Sequence, residues 1–568
     1  MLKRNKLFAV VLGFLICLLI DPVARAQATP PNILFTDIQS GPQTGGQNNL
    51  GSFVTIFGTG FGSSQGSSTV TIGGGAVSNC PVWGTSWLWY QKITCQLGPN
   101  VASGPIMVKV GGVASQCQNT DLGCNFTVRS GNIYFVAVGG NDSSNGSFAS
   151  PWATFQKALN TVVAGDITYF ENGVTQYTQQ NYNAALWISG KSGTASNPIA
   201  LLAYPGATVS IGNGTTQWAF RGSDFQGAAN YWVISGMTFR GGNSATELQG
   251  VQNWRIIGND QSCPNAPGGQ DACWETDVNA GPGAAFIYAF GNHMHNFPSN
   301  DKQYHGMYFS TNANHIWLGW NSIHDGACRG IQFHSTGAPN QFDLHVHDNT
   351  IYNIRCDGIN MATIAPQNGP VEVYNNVIFH TGLGPDFGSQ GPSAYTCILS
   401  PGITNSGPSG SGTANFYNNT LYNCSSRSTS GGGTTQGAIA VNSGPHVQLN
   451  NNVVVATSSD TGGYLSSDST TSLVSGSDNL CFGAGSCPAS FGSGSINTDP
   501  LFVLAAANNF HLLSGSPAIG AGTSAKSSNF DHDGLIRSTT PSIGAYELTS
   551  GVVAQRPNPP TNLSILVQ

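Results

Sequence analysis

LHVHDNTIYN at residues 344–353 and VEVYNNVIFH at residues 371–380 match position for position when Asn349 is laid on Asn376, 27 residues later. Apolar residues stand five and three places before the Asn (Leu344 and Val346; Val371 and Val373) and two places after it (Ile351; Ile378). Alternation before the Asn is the period of a strand, and the break of parity behind it marks a bend. The pattern recurs as NWRIIGND, FIYAFGNHMHN, HIWLGWNSIHD, ANFYNNTLYN and VQLNNNVVVA, around Asn259, Asn292, Asn321, Asn419 and Asn452, so that successive Asn residues are 33, 29, 28, 27, 43 and 33 apart. Such a period is too short for a domain and suits one coil of a solenoid, whose units bury their apolar faces only against neighbours. A second short strand precedes the central ones: HGMYFS from His305, RGIQFH from Arg329 and DGINMA from Asp357. Two or more strands per turn, all running the same way, make a parallel β-helix. Asn at each bend is expected to stack as an amide ladder that satisfies backbone groups left unpaired there.

Outward from the repeats, residues 1–26 carry Lys3, Arg4 and Lys6, then LFAVVLGFLICLLI, then Ala24-Arg25-Ala26. This order reads as a secretory signal too short to span a bilayer. The expected mature chain is therefore secreted, a monomer, with no membrane span. Twelve of the 13 cysteines remain in it, an even number in a compartment that permits disulfides. Close spacing pairs Cys80 with Cys95, Cys117 with Cys124, Cys263 with Cys273 and Cys481 with Cys487. Cys328 and Cys356 are one coil apart, which stacking converts to disulfide distance, and Cys397 is paired with Cys424 across the next coil. Charged residues are only 8% of the chain and the net charge is -7, which argues against nucleic acid as a partner.

Residues 31–128 read as a separate β-sandwich, with short alternating strands such as VTIFGTGFG, STVTIGG, KITCQL and CNFTV between Gly/Ser turns. The GTGFG element, the VTIGG strand and the closing NFTV resemble the IPT/TIG family of immunoglobulin-like domains, which implies a spacer or attachment role. Trp83, Trp87, Trp89 and Tyr90 are either a sugar-stacking platform or core and strand edge. From Asn132 a strand leads into a helix expected to open at Pro151-Trp152 and to cover the first coil. GGNDSSNGSFASPWATFQKAL resembles the entry of right-handed parallel β-helices of the pectate lyase and chondroitinase B type. NTDPLFV, SPAIGAG and DHDGLIRSTTPSIGAYEL resemble the closing segment of exported bacterial β-helices, expected to cover the last coil. The fold class is therefore all-β: a sandwich at 31–128, a β-helix with an N-terminal capping helix at 132–548, and a Pro-rich tail at 549–568. Excursions at 260–284 and 381–413 are expected to form side loops.

Register brings His305, Arg329 and Asp357 into one column, read as an outward stripe, with Tyr308, Gln332 and Asn360 in a second row and Ser310 and His334 in a third. Lys302 enters just before it. The resemblance to polysaccharide lyases suggests a mechanism, β-elimination on a uronic acid chain. Arg329 would neutralise the sugar carboxylate, His305 would take the proton, Tyr308 or Lys302 would protonate the leaving oxygen, and Asp357 would orient Arg329. Gln332, His334, Asn360 and Lys302 would bind the sugar. The partner is then a polysaccharide or cell-surface glycan. A compatible charge column, a non-catalytic glycan-binding or adhesin solenoid, and a hydrolase using Asp325 and Asp357 are the alternatives. No cofactor follows from the residues. Calcium, held in part by Asp357, is the candidate left open by the resemblance, although the family's acidic cluster and lysine base have no residue-by-residue match. HMH at 293–295 and HVH at 345–347 each place two imidazoles on one strand face, but neither shows a third strong ligand, so no metal site is assigned.

Overall fold

The computed structural model describes residues 30–548 except 119–122, 267–270, 278–282, 336–339, 386, 391–394, 401–410, 426–435, 443, 457–462 and 467–472. The expected signal segment and the Pro-rich tail lie outside the described residues. The fold is nearly all β. Three parallel sheets of 12, 12 and 10 strands run the length of a β-helix, each coil giving one strand to each sheet in turn. The first sheet holds Leu344–His347 and Val371–Tyr374, the second Thr350–Ile354 and Val377–Thr381, and the third Tyr304–Phe309 and Ile359–Met361. The side chains between the sheets form one continuous apolar core, from Val136 to Phe491.

The bend between first and second sheets carries the amide ladder. Asn321 donates from its backbone N (3.1 Å) and Nδ2 (2.9 Å) to Asn349 Oδ1, and Asn349 donates likewise to Asn376 Oδ1 at 3.1 and 3.0 Å. Asn349 Nδ2 also donates to the Leu318 carbonyl on the preceding coil at 3.0 Å. The column runs unbroken through Asn259, Asn292, Asn321, Asn349, Asn376, Asn419, Asn452 and Asn479. The residue before each of these Asn is left-handed: Gly258, Gly291, Trp320, Asp348, Asn375, Asn418, Asn451 and Asp478 all have φ between 53 and 64°. Gly, Asn and Asp suit that conformation. Trp320 does not, and it is held there by stacking on Phe35 of the sandwich at 5.0 Å.

The sandwich has two sheets, one built around Asn32–Thr36, Phe53–Thr59 and Tyr90–Gln96, and it packs on the first sheet of the β-helix. Phe35, Phe57 and Tyr90 meet Ile257, Phe290 and Trp320 there. Buried Arg255 donates to the carbonyls of Thr36 and Asp37, Tyr90 Oη donates to the Trp320 carbonyl at 3.0 Å, and Trp87 Nε1 to that of Gly291 at 2.7 Å. Trp89 stacks on His532 of the C-terminal segment. Trp87, Trp89 and Tyr90 therefore join the domains and Trp83 packs within the sandwich, which agrees with core and strand edge, the alternative to a sugar platform.

The capping helix spans Phe155–Thr161, three residues later than expected, because Thr154 is its N-cap and accepts from Lys157 N. Phe155 stacks on Phe170 and closes the first coil. The last coil is closed by Phe491, whose carbonyl accepts from Asn479 Nδ2 at 3.0 Å. The segment beyond it, expected over that end, runs back instead along the bend of the ladder: Arg537 donates to Asn375 Oδ1, Asn375 Nδ2 to the Phe530 carbonyl, and Asn451 Nδ2 to the carbonyls of Thr523 and Lys526.

All six cysteine pairs named from spacing are bonded, Cys328 to Cys356 with Cα atoms 4.7 Å apart. Closing a loop of that length contributes roughly 3–4 kcal/mol in the chain-entropy account. Asn349→Ala removes two donors and an acceptor from a fully buried bend. It should lower the unfolding free energy by about 2–3 kcal/mol in urea titration, with no change in secondary structure at low denaturant.

Candidate functional site

The third sheet presents its polar rows in register. Met307 pairs with Ile331 and Ile359 facing inward, which places Tyr308, Gln332 and Asn360 in one outward row and continues upstream through Glu275, Glu247 and Arg221. Six rungs cover about 24 Å along the axis. The column His305, Arg329, Asp357 is also in register, but the expected outward stripe is not what forms. His305 is 4% exposed and Asp357 is fully buried, and Phe387 packs with Tyr395 on the Cys328–Cys356 disulfide beside that column. Burial first, and then the Arg329 charge, hold the His305 imidazole far below its usual range. It is neutral and shielded from solvent, which corrects its reading as an outward base.

Arg329 is the accessible member of the column, with its side chain 17% exposed and its backbone left-handed at φ 64°. Its Nε donates to Asp357 Oδ2 at 3.2 Å, and Asp357 Oδ1 accepts from Thr396 Oγ1 at 3.0 Å. Asp357 thus orients Arg329 from below. Lys302 is drawn to the excursion, where both its backbone N and its Nζ bond Gln390. Beside Arg329, Tyr308 Oη lies 3.3 Å from His334 Nδ1. Burial lowers the His334 pKa, helped by Arg329, and burial raises the Tyr308 hydroxyl to about 12, helped by Asp277 and Glu275. Gln332 and Asn360 are almost wholly buried, and Gln332 Oε1 and Asn360 Oδ1 meet no hydrogen-bond partner among the described residues.

Two carboxylates escaped the sequence reading. Glu247 and Glu275 occupy neighbouring rungs of the row that holds Tyr308. Burial raises the pKa of both; Asp277 and Asp271 reinforce this at Glu247, and Asp271 and Glu247 do so at Glu275. Arg221 Nε grips Glu247 Oε2 at 2.6 Å, and Trp218 Nε1 donates to Glu275 Oε1 at 3.2 Å. Their signal lay in SATELQ and DACWETD, 28 residues apart, each with a Glu at the same strand position; the lack of an Asn-closed pattern on those strands hid it.

The hydrolase pair read from sequence does not converge. Asp325 sits on the second sheet, bonded to His324 and Asn353, while Asp357 is buried under the third. Nor does a calcium site form around Asp357, whose oxygens face Arg329 and Thr396. The oxygen donors calcium takes are at Glu247, Asp271, Glu275 and Asp277, where Arg221, Asn243 and Ser244 already engage three of the four.

Together the two domains form an immunoglobulin-like sandwich seated on a right-handed parallel β-helix. Residues 34–127 match the model of the IPT/TIG domain, and residues 134–266 that of the Pel9A-like, right handed beta helix region. Among solved structures, pectate lyase Pel9A aligns with TM-score 0.49 at 17% identity, covering 74% of this chain and 97% of its own. XylC, solved with xylose, aligns with TM-score 0.39 at 10% identity, covering 73% and 98%, and an alginate lyase from Paenibacillus sp. with TM-score 0.33 at 14%, covering 55% and 91%. No curated protein matches the sequence. At these identities the likeness is one of fold.

Removing the buried counter-charge of Arg329 should be costly. Asp357→Leu leaves the guanidinium without its carboxylate and should lower stability by roughly 3 kcal/mol or more, read from the shift of the denaturation midpoint.

Proposed function

We propose that the outer face of the third sheet binds a polysaccharide along the solenoid axis and cleaves it by β-elimination at a uronic acid residue. The observation that carries this reading is the half-buried Tyr308–His334 pair beside Arg329 on the outward side of the third sheet. Arg329 faces the uronate carboxylate and stabilises the charge that develops when the proton on carbon 5 leaves. His334, kept neutral, takes that proton. The electron pair forms the carbon 4–carbon 5 double bond as the bond to the leaving oxygen breaks, and the Tyr308 hydroxyl protonates that oxygen. Burial of Glu247 and Glu275 favours their neutral forms, which makes the upstream rungs compatible with a polyanion.

A second reading rests on the same two residues. Their rungs are about 4.8 Å apart, close to the carboxylate separation of about 5–5.5 Å that a retaining glycoside hydrolase requires. The two chemistries leave different products, and a binder leaves none.

The test is incubation with a panel of uronate polysaccharides while following the ultraviolet absorbance of the unsaturated product. Elimination raises the absorbance; reducing ends without absorbance transfer the assignment to Glu247 and Glu275; retention on the polymer without either leaves a glycan-binding solenoid. For the lyase, His334→Gln and Tyr308→Phe should each lower kcat by about 10²- to 10⁴-fold with the fold intact, whereas Glu275→Gln should have a smaller effect.

The pH profile has a definite sign. His334 acts as a base only when neutral, and its pKa lies below the usual histidine value, so the rate should hold from neutral pH down past 6.5 and fall only at more acid pH. On the alkaline side Tyr308 must keep its proton, and the rate should decline only as pH approaches about 12. A rate that halved near pH 6.5 would point to an exposed, unperturbed histidine instead.

A further inference from the structure

The outer face of the second sheet, a different side of the solenoid, carries a group of imidazoles and carboxylates with no part in the elimination. Asp260 stands in register with His293 on the next coil, and His295, two residues along the same strand, stands in register with His324. Alternate strand residues share a face and rungs are about 4.8 Å apart, so the four side chains meet in one patch. Asp260 Oδ2 lies 3.0 Å from His293 Nδ1 and 3.3 Å from His295 Nε2, and one ligand atom from each of the three residues falls within 4.8 Å of the others. Ligand atoms about 2.0–2.2 Å from one tetrahedral ion are separated by roughly 3.3–3.6 Å; Asp260 lies 3.0 and 3.3 Å from the two rings, and the two ring nitrogens lie within 4.8 Å of each other.

We propose that Asp260, His293 and His295 form a binding site for a divalent transition-metal ion of the zinc class, through Asp260 Oδ2, His293 Nδ1 and His295 Nε2. Two imidazoles and one carboxylate suit zinc, cobalt or nickel; calcium, which takes six to eight oxygens, is excluded by the same donor set.

The surroundings support this set over any other pairing of the same rings. His293 Nε2 is 2.9 Å from His324 Nε2, His324 Nδ1 is 2.8 Å from Asp325 Oδ2, and Asp325 Oδ1 accepts from Asn353 Nδ2 at 3.0 Å. With the metal on Nδ1, His293 carries its proton on Nε2 and donates it to His324 Nε2, and His324 in turn donates from Nδ1 to Asp325. Every nitrogen in this chain then has a partner, which is how metal-bound imidazoles are held in orientation. Arg240 Nη2 binds the other oxygen of Asp260, Oδ1, and so directs Oδ2 toward the two rings. The three ligand side chains are 18–29% exposed, so solvent or a small ligand can fill the remaining coordination positions. The sister motif HVH lacks this convergence: His345 Nε2 turns to Asp343 and His347 Nδ1 to Asp348, and His347 is buried against Trp320 and Tyr374.

The test uses the tag-free full chain, stripped with a chelator and dialysed against cobalt(II) or zinc(II). Bound metal is counted by mass spectrometry, and the cobalt form is followed by visible absorption. One ion per chain is expected, with cobalt bands that zinc abolishes and excess calcium does not. His324→Gln should keep the stoichiometry but weaken affinity roughly 10- to 100-fold, as loss of an outer-shell partner does. His295→Gln should weaken it further, and His345→Gln should leave it unchanged. Circular dichroism establishes that each variant is folded. Absence of a stoichiometric ion in the wild type overturns the proposal. So does cobalt binding to His295→Gln as tight as to wild type, or a loss in His345→Gln equal to that in His324→Gln.

Discussion

The amide ladder is the interaction on which the rest of the molecule depends. A parallel coil must turn sharply between sheets, and each turn leaves backbone groups facing inward with no strand to pair them. Each Asn Nδ2 answers a carbonyl from the preceding coil, as Asn349 does for Leu318, and after Asn259, whose Oδ1 holds the Met237 N–H, each Oδ1 holds the N–H of the Asn before it. Every Asn thus satisfies its own bend and ties it to the next, so the coils cannot slip against one another by a residue without breaking the whole column. That shared register is what turns spacings of 27 to 43 residues into one rung of separation.

Because the register was carried by Asn, much of the fold was legible in the sequence. The left-handed residue before each Asn strengthens the signal, since Asp348, Asn375, Asn418, Asn451 and Asp478 are all types that tolerate it. The columns His305–Arg329–Asp357 and Tyr308–Gln332–Asn360 were legible for the same reason. Their depth was not. Whether a residue beside a bend faces solvent depends on what lies over it, and Phe387, from a stretch with no periodicity, packs on the disulfide whose cysteines precede Arg329 and Asp357. The aromatic group in the sandwich fails in the same way: Trp87 and Tyr90 look like a platform until the bend of the β-helix is placed against them.

Asp260 shows the opposite failure. It follows ladder residue Asn259 directly and lies one coil before His293, so the third ligand for HMH was present in the pattern. Reading along the strand found two histidines; reading across the rungs finds the carboxylate. In a solenoid the chemically useful neighbours of a residue are one coil away, and sites assembled from three coils leave little trace in any one local stretch.

Stacking also decides what state each ionisable group is in. Adjacent rungs hold side chains about 4.8 Å apart whether or not their charges agree. Where the neighbours are Arg329 and Asp357, opposite charges meet and the pair is held. Where they are Glu247 and Glu275, burial and repulsion push both carboxyls toward the neutral form. Where Asp260 meets two imidazoles and Arg240, the carboxylate is held in its charged form despite burial. One backbone spacing therefore raises the pKa of two acids on the third sheet and lowers that of a carboxylate on the second. Placing a tyrosine, amides and carboxyls on one face and imidazoles around a carboxylate on another requires no change of architecture, only a change in which residue types share a column.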